Sequence, residues 1–211
     1  IDNTRAYGAE VILYDRATED RDAIGARLSA TRGLTLIRPY DEPLVIAGQA
    51  SVGLEIAEQA VEVGILAADV LVCCGGGGLT AGVALALEAK APHLRVRPAE
   101  PAGFDDTARS LATGVVQRNA SASGSICDAI VTPEPGKITF PILQRLCGRG
   151  LVVSDAQVLH AMALAFTGDK LPARQAKELD RLTRLVGLLA EREAEREGQG
   201  SPEANVKPPH W

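Results

Sequence analysis

The sequence has no surplus of positive charge: 22 Lys plus Arg stand against 27 Asp plus Glu, giving a formal net charge of -5, and the basic residues are scattered. Nucleic acid and anionic membrane surfaces both need a concentrated basic face, so neither is an expected partner and a small molecule is. No apolar run reaches the roughly 18 to 20 residues that span a bilayer, and no charged-then-apolar leader opens the chain. Four cysteines occur without metal-type spacing: Cys73 and Cys74 are adjacent inside an apolar run, and Cys127 and Cys147 stand alone. They read as buried thiols of a reducing compartment, and a cytoplasmic protein is the expectation. The three histidines, His93, His160 and His210, have no Ser or Cys partner pattern nearby and read as bystanders. Aromatics amount to only 3% of the 211 residues, but 46% hydrophobic residues are enough for the core of one or two small domains. The first residue is Ile1 rather than Met, so a fragment or a processed product is expected.

What is present alternates. Gly8 to Tyr14 is a short β-branched, apolar run, and Thr18 to Arg32 places Ile24, Leu28 and Thr31 on one helical face. Leu34 to Ile37 reads as a strand, and Asp41-Glu-Pro43 offers an acidic N-cap and a first-turn proline to a helix reaching Val63. Strands are expected at Val70–Cys73, Leu94–Ala99, Ala129–Val131 and Leu151–Val153, with helices at Leu79–Ala89, Asp105–Thr113 and Thr139–Leu146. Ser154-Asp-Ala-Gln157 fits a capping box that starts another helix. The pattern implies an α/β fold with a mostly parallel sheet. From Gly168 the strand signal stops. Leu179, Leu182, Val186 and Leu189 mark one amphipathic helix over Ala173–Glu197, and the proline-rich Gly198–Trp211 is expected to be disordered.

The most concentrated feature is Val70-Leu-Val-Cys-Cys-Gly-Gly-Gly-Gly-Leu-Thr-Ala-Gly82, four glycines between a strand and a helix. Amides of a first helical turn are unpaired and the helix dipole is positive there, so an anion is stabilised. Without side chains, several amides can converge on one phosphate. A flexible turn that binds nothing is the plainer reading. A dinucleotide fingerprint fits only if Gly78-Leu-Thr-Ala-Gly82 is forced into register, and no Gly-Lys-Ser/Thr follows, which excludes a P-loop.

Three ordered segments, Val45 to Glu55 with its Ala-Gly-Gln-Ala-Ser core, Val72 to Gly82, and Ala99-Glu-Pro-Ala-Gly-Phe-Asp-Asp106, resemble the threonine dehydratase and serine racemase branch of the fold-type II pyridoxal-phosphate (PLP) enzymes. Asn3 to Glu10, Arg38 to Pro43 and Thr139-Phe-Pro-Ile142 agree, so the resemblance covers about 1–167. It implies a twisted parallel sheet flanked by helices, of the tryptophan synthase beta-like kind, here incomplete: 1–40 as the end of a small domain, 41–167 as part of the large cofactor-binding domain, and 168–211 as a divergent tail. It implies that Gly75, Gly76, Gly77, Gly78 and Leu79 hold the phosphate of PLP, and that Tyr40 faces cofactor or substrate; an anchoring role for Tyr40 in its proline-flanked turn is the alternative. Some relatives hold a divalent cation at positions matching Glu100, Phe104 (main-chain carbonyl) and Asp106. Mg²⁺ or Ca²⁺ would suit those oxygens; helix capping by Glu100 and Asp106 is the competing reading. Gln49 and Ser51 resemble residues that frame the pocket floor, a structural role for Gln49 being the alternative, and Ala129 stands after Asp128 where the family prefers Gly.

The resemblance also marks what is missing. The family's Schiff-base lysine lies in a Ser-x-Lys-x-Arg-Gly context, and none of Lys90, Lys137, Lys170, Lys177 and Lys207 has it. The Ser-Gly-Asn-His loop that cradles the cofactor ring is absent too, and Gly168-Asp-Lys-Leu-Pro-Ala-Arg174 replaces the family's Glu-Pro-Ser/Gly-Gly-Ala segment. The implied activity of the complete protein is β-elimination from L-threonine, L-serine or a similar 3-hydroxy amino acid, with racemisation as the neighbouring outcome, in a homo-oligomer. This chain alone is expected to be inactive. A degenerate homologue that binds a phosphorylated ligand or a partner is the alternative.

Overall fold

The computed structural model describes residues 1–15 and 18–167. The chain divides into two compact units, one of Tyr14–Asp155 and one of Ile1–Leu13 with the residues from Ala156 onward. The larger unit contains α2 (Arg21–Arg32), α3 (Pro43–Glu62), β1 (Ala68–Cys73), α4 (Gly78–Lys90), β2 (Leu94–Pro101), α5 (Asp106–Thr113), a 3₁₀ turn (Asp128–Ile130), α6 (Thr139–Leu146) and β3 (Leu151–Val153). In the smaller unit, α1 (Asp2–Ala6) has no buried residue; α7 (Asp155–Thr167) begins at the end of the larger unit and continues here. The expected tail helix Ala173–Glu197 and the proline-rich end lie outside the described residues.

The sheet has the order β1-β2-β3 and is parallel throughout, with Val70 opposite Val96 and Ala99 opposite Leu151. Parallel neighbours require crossover connections, and here α4 and α5–α6 supply them. One face of the sheet carries Val72, Leu94 and Val96, which pack with Ala57, Ala60, Val83, Ala84 and Leu87 into the main core. The alternation in β2, buried at Leu94, Val96 and Pro98 and exposed at Arg95, puts Arg95 and Arg97 on the opposite face. There Asp69 of β1 accepts hydrogen bonds from Arg95 and Arg97 of β2, which hold its carboxyl below the usual carboxylate range.

Small residues bring α3 and α4 together almost backbone to backbone. A Cβ on Gly82 would stand 2.5 Å from the Ile46 carbonyl oxygen and 2.7 Å from the Ala50 nitrogen, and one on Gly53 would meet the Ala86 Cβ at 2.7 Å. This contact fixes where α4 begins, and therefore where the glycine run sits.

Three expected strands are not strands. Gly8–Tyr14 and Leu34–Ile37 are irregular, and Ile12, Leu13, Leu34 and Ile37 are exposed. A β-branched run becomes a strand only beside a partner with free ladder groups and a surface to pack on, and neither run pairs with a strand among the described residues. Ala129 falls in the 3₁₀ turn, closed by Ile130 N–H donating to the Cys127 carbonyl. The other expected elements lie within two residues of expectation, apart from the start of α2, which begins at Arg21 rather than Thr18, with Asp20 as the N-cap accepting from the Asp22 and Ala23 amides; the short α1 was not expected.

Gly82→Ala tests the helix contact. Overpacking against fixed backbone costs about 1–3 kcal/mol, so the midpoint of urea unfolding is expected to fall; an unchanged midpoint would mean that the two helices part without cost.

Candidate functional site: the glycine loop at the end of β1

Strand β1 delivers the chain to the loop. The ladder continues one residue past the strand, with Cys74 N–H donating to the Ala99 carbonyl at 2.9 Å. Gly75 to Gly77 then bend, and α4 starts at Gly78 with Gly77 as its N-cap in a left-handed conformation, φ +91°. The first helical hydrogen bond runs from Ala81 N–H to the Gly77 carbonyl at 2.8 Å. Among the described residues, the amide N–H groups of Gly75, Gly76, Gly77, Gly78, Leu79 and Thr80 have no acceptor. Unpaired donors at the positive end of a helix form an anion site.

Each wall of the loop comes from a different segment. The Tyr40 ring lies where a Gly76 Cβ would be, and the Tyr40 backbone stands 2.9 Å from the Cβ position of Gly78. The Ile130 carbonyl stands 3.0 Å from that of Gly75, and Thr139 and Leu143 of α6 close on that of Gly77. The Gly76 carbonyl accepts from the Thr139 hydroxyl at 2.6 Å and from Gly136 N–H at 3.1 Å. Tyr40 is half buried, and burial raises its phenol, which stays protonated at neutral pH. Beneath the loop, the Cys74 thiol is buried and is pushed up to about 12 by that burial, so it is neutral and not a nucleophile.

The carboxylates expected beside the sheet have other work. Glu100, at 1% exposure, points both oxygens at the start of α5: Oε1 accepts from Thr107 N–H at 2.9 Å and Oε2 from Ala108 N–H at 2.7 Å. Asp106 Oδ1 accepts from Asn119 Nδ2, whereas Asp106 Oδ2 is buried without a partner. Phe104 is buried, and its own amide donates to the Pro101 carbonyl. Among the described residues, no three His, Cys, Asp or Glu side chains gather closely enough to hold a metal ion. For Glu100, helix capping accounts for both oxygens.

Gln49 lies half-buried on α3, and exposed Ser51 donates to the Gly48 carbonyl within the same helix, so Ser51 is occupied locally. Among the described residues none other than glycine has a positive φ, so Ala129 adopts an ordinary backbone where Gly would also fit. His93 and His160 are exposed; His210 lies outside the described residues. Sequence reasoning missed Thr139 and Gly136 as loop contacts and assigned Asp41 to the wrong helix. Asp41 Oδ1 accepts from Ile138 N–H at 2.7 Å and from Thr139 N–H at 3.4 Å, which caps α6 instead of α3. A Gly two residues before a helix N-cap and three before a Thr was the available signal.

A parallel α/β sheet with an unpaired amide cluster at a strand-to-helix turn offers donors of the kind that an anionic small molecule would need. The chain belongs to the pyridoxal-phosphate dependent enzyme family, whose model matches residues 1–176. It is 39% identical over 159 residues to the L-threo-3-hydroxyaspartate ammonia-lyase of a Pseudomonas species, covering 75% of this chain and 48% of that protein. It is 34% identical over 168 residues to the L-threonine ammonia-lyase of Geobacter sulfurreducens, covering 80% of this chain and 40% of that one. The solved structure of maize serine racemase superposes with a TM-score of 0.70 at 33% identity, over 78% of this chain and 50% of that one. The chain thus spans about half the length of the relatives it matches or less. Among the described residues no helix is long and apolar enough to cross a membrane.

The buried carboxyls give the fold a pH dependence of definite sign. Burial pushes Glu100 from 4.5 up to about 8 and Asp106 from 3.8 up to about 6, so the folded state prefers their neutral forms. Their contribution to stability is fully present at pH below the unfolded values and is lost as pH rises through about 6 for Asp106 and about 8 for Glu100. Thermal unfolding of Glu100→Gln, less stable overall for want of a second acceptor, is expected to lose the part of the decline between pH 5 and 8 that the wild type shows. Parallel pH profiles would contradict the assignment.

Proposed function

We propose that this chain is the phosphate-holding part of a PLP-dependent ammonia-lyase acting on a small 3-hydroxy amino acid such as L-threonine or L-serine. One observation carries the reading: the unpaired amides of 75–80, gathered on a side-chain-free loop at the start of α4. The family match supplies the cofactor, and the relatives named for threonine and hydroxyaspartate supply the substrate class.

The residues present fit the group. A phosphate dianion brings the acceptors that these amides lack, and a Cβ at Gly75, Gly77 or Gly78 would collide with backbone or with Thr139 and Leu143. Gly75, Gly76, Gly77, Gly78 and Leu79 would hold the phosphate, with Thr80 N–H completing the first turn. Tyr40 borders the loop as a neutral phenol whose ring stands over Gly76. When bound, PLP supplies an electron sink that acidifies the Cα–H of an attached amino acid. Cys74 cannot take that proton, because its buried thiol is already protonated. Lys90 closes α4 at the end away from the loop, and Lys137 is an exposed residue ahead of α6. In this reading the 211 residues bind and orient the phosphate, and elimination requires a lysine in the family's sequence context, which they do not contain. The complete protein would be a cytoplasmic homo-oligomer; four free thiols are compatible with the reducing compartment.

The complete chain is expected to bind PLP at least tenfold more tightly than pyridoxal and to yield no borohydride-reducible adduct on its own lysines. Gly77→Ala, which forces a Cβ into a left-handed residue against Thr139, is expected to remove that preference. Equal affinity for the two compounds would sink the phosphate reading, and a reducible adduct would sink the reading that the chain lacks its lysine.

A Mg²⁺ or Ca²⁺ ion at Glu100, the Phe104 carbonyl and Asp106 forms the second part of the reading. The partnerless Asp106 Oδ2 supports it, and the full engagement of Glu100 by α5 opposes it. If the ion binds, millimolar Ca²⁺ raises the thermal midpoint of the wild type and not of Asp106→Asn; no shift in either leaves Glu100 and Asp106 as capping and packing residues only.

A further inference from the structure

We propose that Thr139 and Asp41 are positioning residues for the anion site, acting through a single carbonyl to set the direction of the Gly77 amide. The inference rests on the phosphate reading of the loop.

Two donors hold the Gly76 carbonyl oxygen, the Thr139 hydroxyl at 2.6 Å and Gly136 N–H at 3.1 Å. The hydroxyl has one proton, and the Gly136 carbonyl, at 3.3 Å, is the longer of its two possible acceptors, so the proton goes to Gly76. A trans peptide is planar, with its C=O and N–H pointing in opposite directions. Drawing the Gly76 oxygen toward α6 therefore aims the Gly77 N–H away from α6, to the side on which that amide has no protein acceptor. Gly77 alone in the run has a positive φ, which lets the chain turn from this fixed peptide into α4.

Thr139 is fully buried and opens α6, where first-turn amides need acceptors. The helix has no cap from its own N-cap residue, Ile138. Asp41 supplies one from 97 residues away, accepting from Ile138 N–H at 2.7 Å and more weakly from Thr139 N–H at 3.4 Å. The carboxylate also stands where a Gly136 Cβ would be, so the turn that presents Gly136 N–H to Gly76 is shaped around it. Tyr40, the neighbour of Asp41, covers Gly76 from the other side. The pair 40–41 thus covers the loop and anchors the helix that orients it.

A hydrogen bond to a charged group contributes enough that misdirecting one amide lowers affinity for the anion about tenfold to a hundredfold. A purely structural hydroxyl would lower stability without distinguishing ligands. The test measures binding of pyridoxine 5′-phosphate, pyridoxine and inorganic phosphate to the complete chain by calorimetry; pyridoxine compounds lack the aldehyde that reacts with surface lysines. Thr139→Val is expected to weaken both phosphate-bearing ligands at least tenfold and to leave pyridoxine within twofold, with Thr139→Ser restoring binding and Asp41→Ala following Thr139→Val. In ¹⁵N spectra the Gly77 amide should move on adding phosphate in the wild type and stay in place in Thr139→Val. If Thr139→Val does not fold, Asp41→Ala and the serine variant carry the comparison. Folded variants that bind phosphate as the wild type does would overturn the inference alone; a wild type that binds none would overturn the phosphate reading and the inference with it.

Discussion

Unpaired backbone amides at the start of α4 are the constraint around which this fold is arranged. Six N–H groups without acceptors among the described residues are costly wherever water is excluded, and four of them belong to glycines with no side chain to shield them. A helix end ordinarily meets that cost with a Ser, Thr, Asp or Asn cap. Here the N-cap is Gly77, which has nothing to offer, so the donors remain available to a ligand.

Holding such a loop in one shape takes contacts from outside it, because glycine contributes none and loses the most backbone freedom on ordering. The sheet supplies the first, through the Cys74–Ala99 bond that extends β1 against β2. The close crossing of α3 and α4 at Gly53 and Gly82 supplies the second by locking the helix that follows. Tyr40 enters from the start of α3, so the helix that locks α4 also brings the ring that covers Gly76.

How much of this was legible in the sequence depended on whether a residue's partner was near in the chain. The glycine run, β1, β2, β3 and the helices around them were readable, because periodicity and turn residues are local signals. Gly8–Tyr14 and Leu34–Ile37 misled for the complementary reason: a strand needs a partner, and composition does not say whether one is present. Asp41 shows the same limit at the site. Its place two residues before Pro43 suited a cap for α3, yet its carboxylate turns to α6, which sequence distance conceals. Thr139 was visible only as part of a flanking motif, since nothing local distinguishes a threonine that opens a helix from one that holds a carbonyl 63 residues away. For Glu100 the capping reading was available from the start, and the two bonds to α5 account for it.

Asp41 and Glu100 turn out to be two instances of one device. Each is an acidic residue from outside the helix it caps, Asp41 for α6 from 97 residues away and Glu100 for α5 from the preceding strand, and each helix then offers a buried first-turn threonine to the loop region. Thr139 donates to the Gly76 carbonyl on one side; on the other, the Thr107 hydroxyl accepts from the Cys74 thiol at 3.6 Å, just before Gly75. The two carboxyls differ in depth: Glu100 is fully buried and burial pushes it toward its neutral form, while Asp41 is only half-buried. A glycine loop flanked in this way needs no side chain of its own to be held: two capped helices fix the ends of its peptides, and the amides between them are left without an acceptor among the described residues.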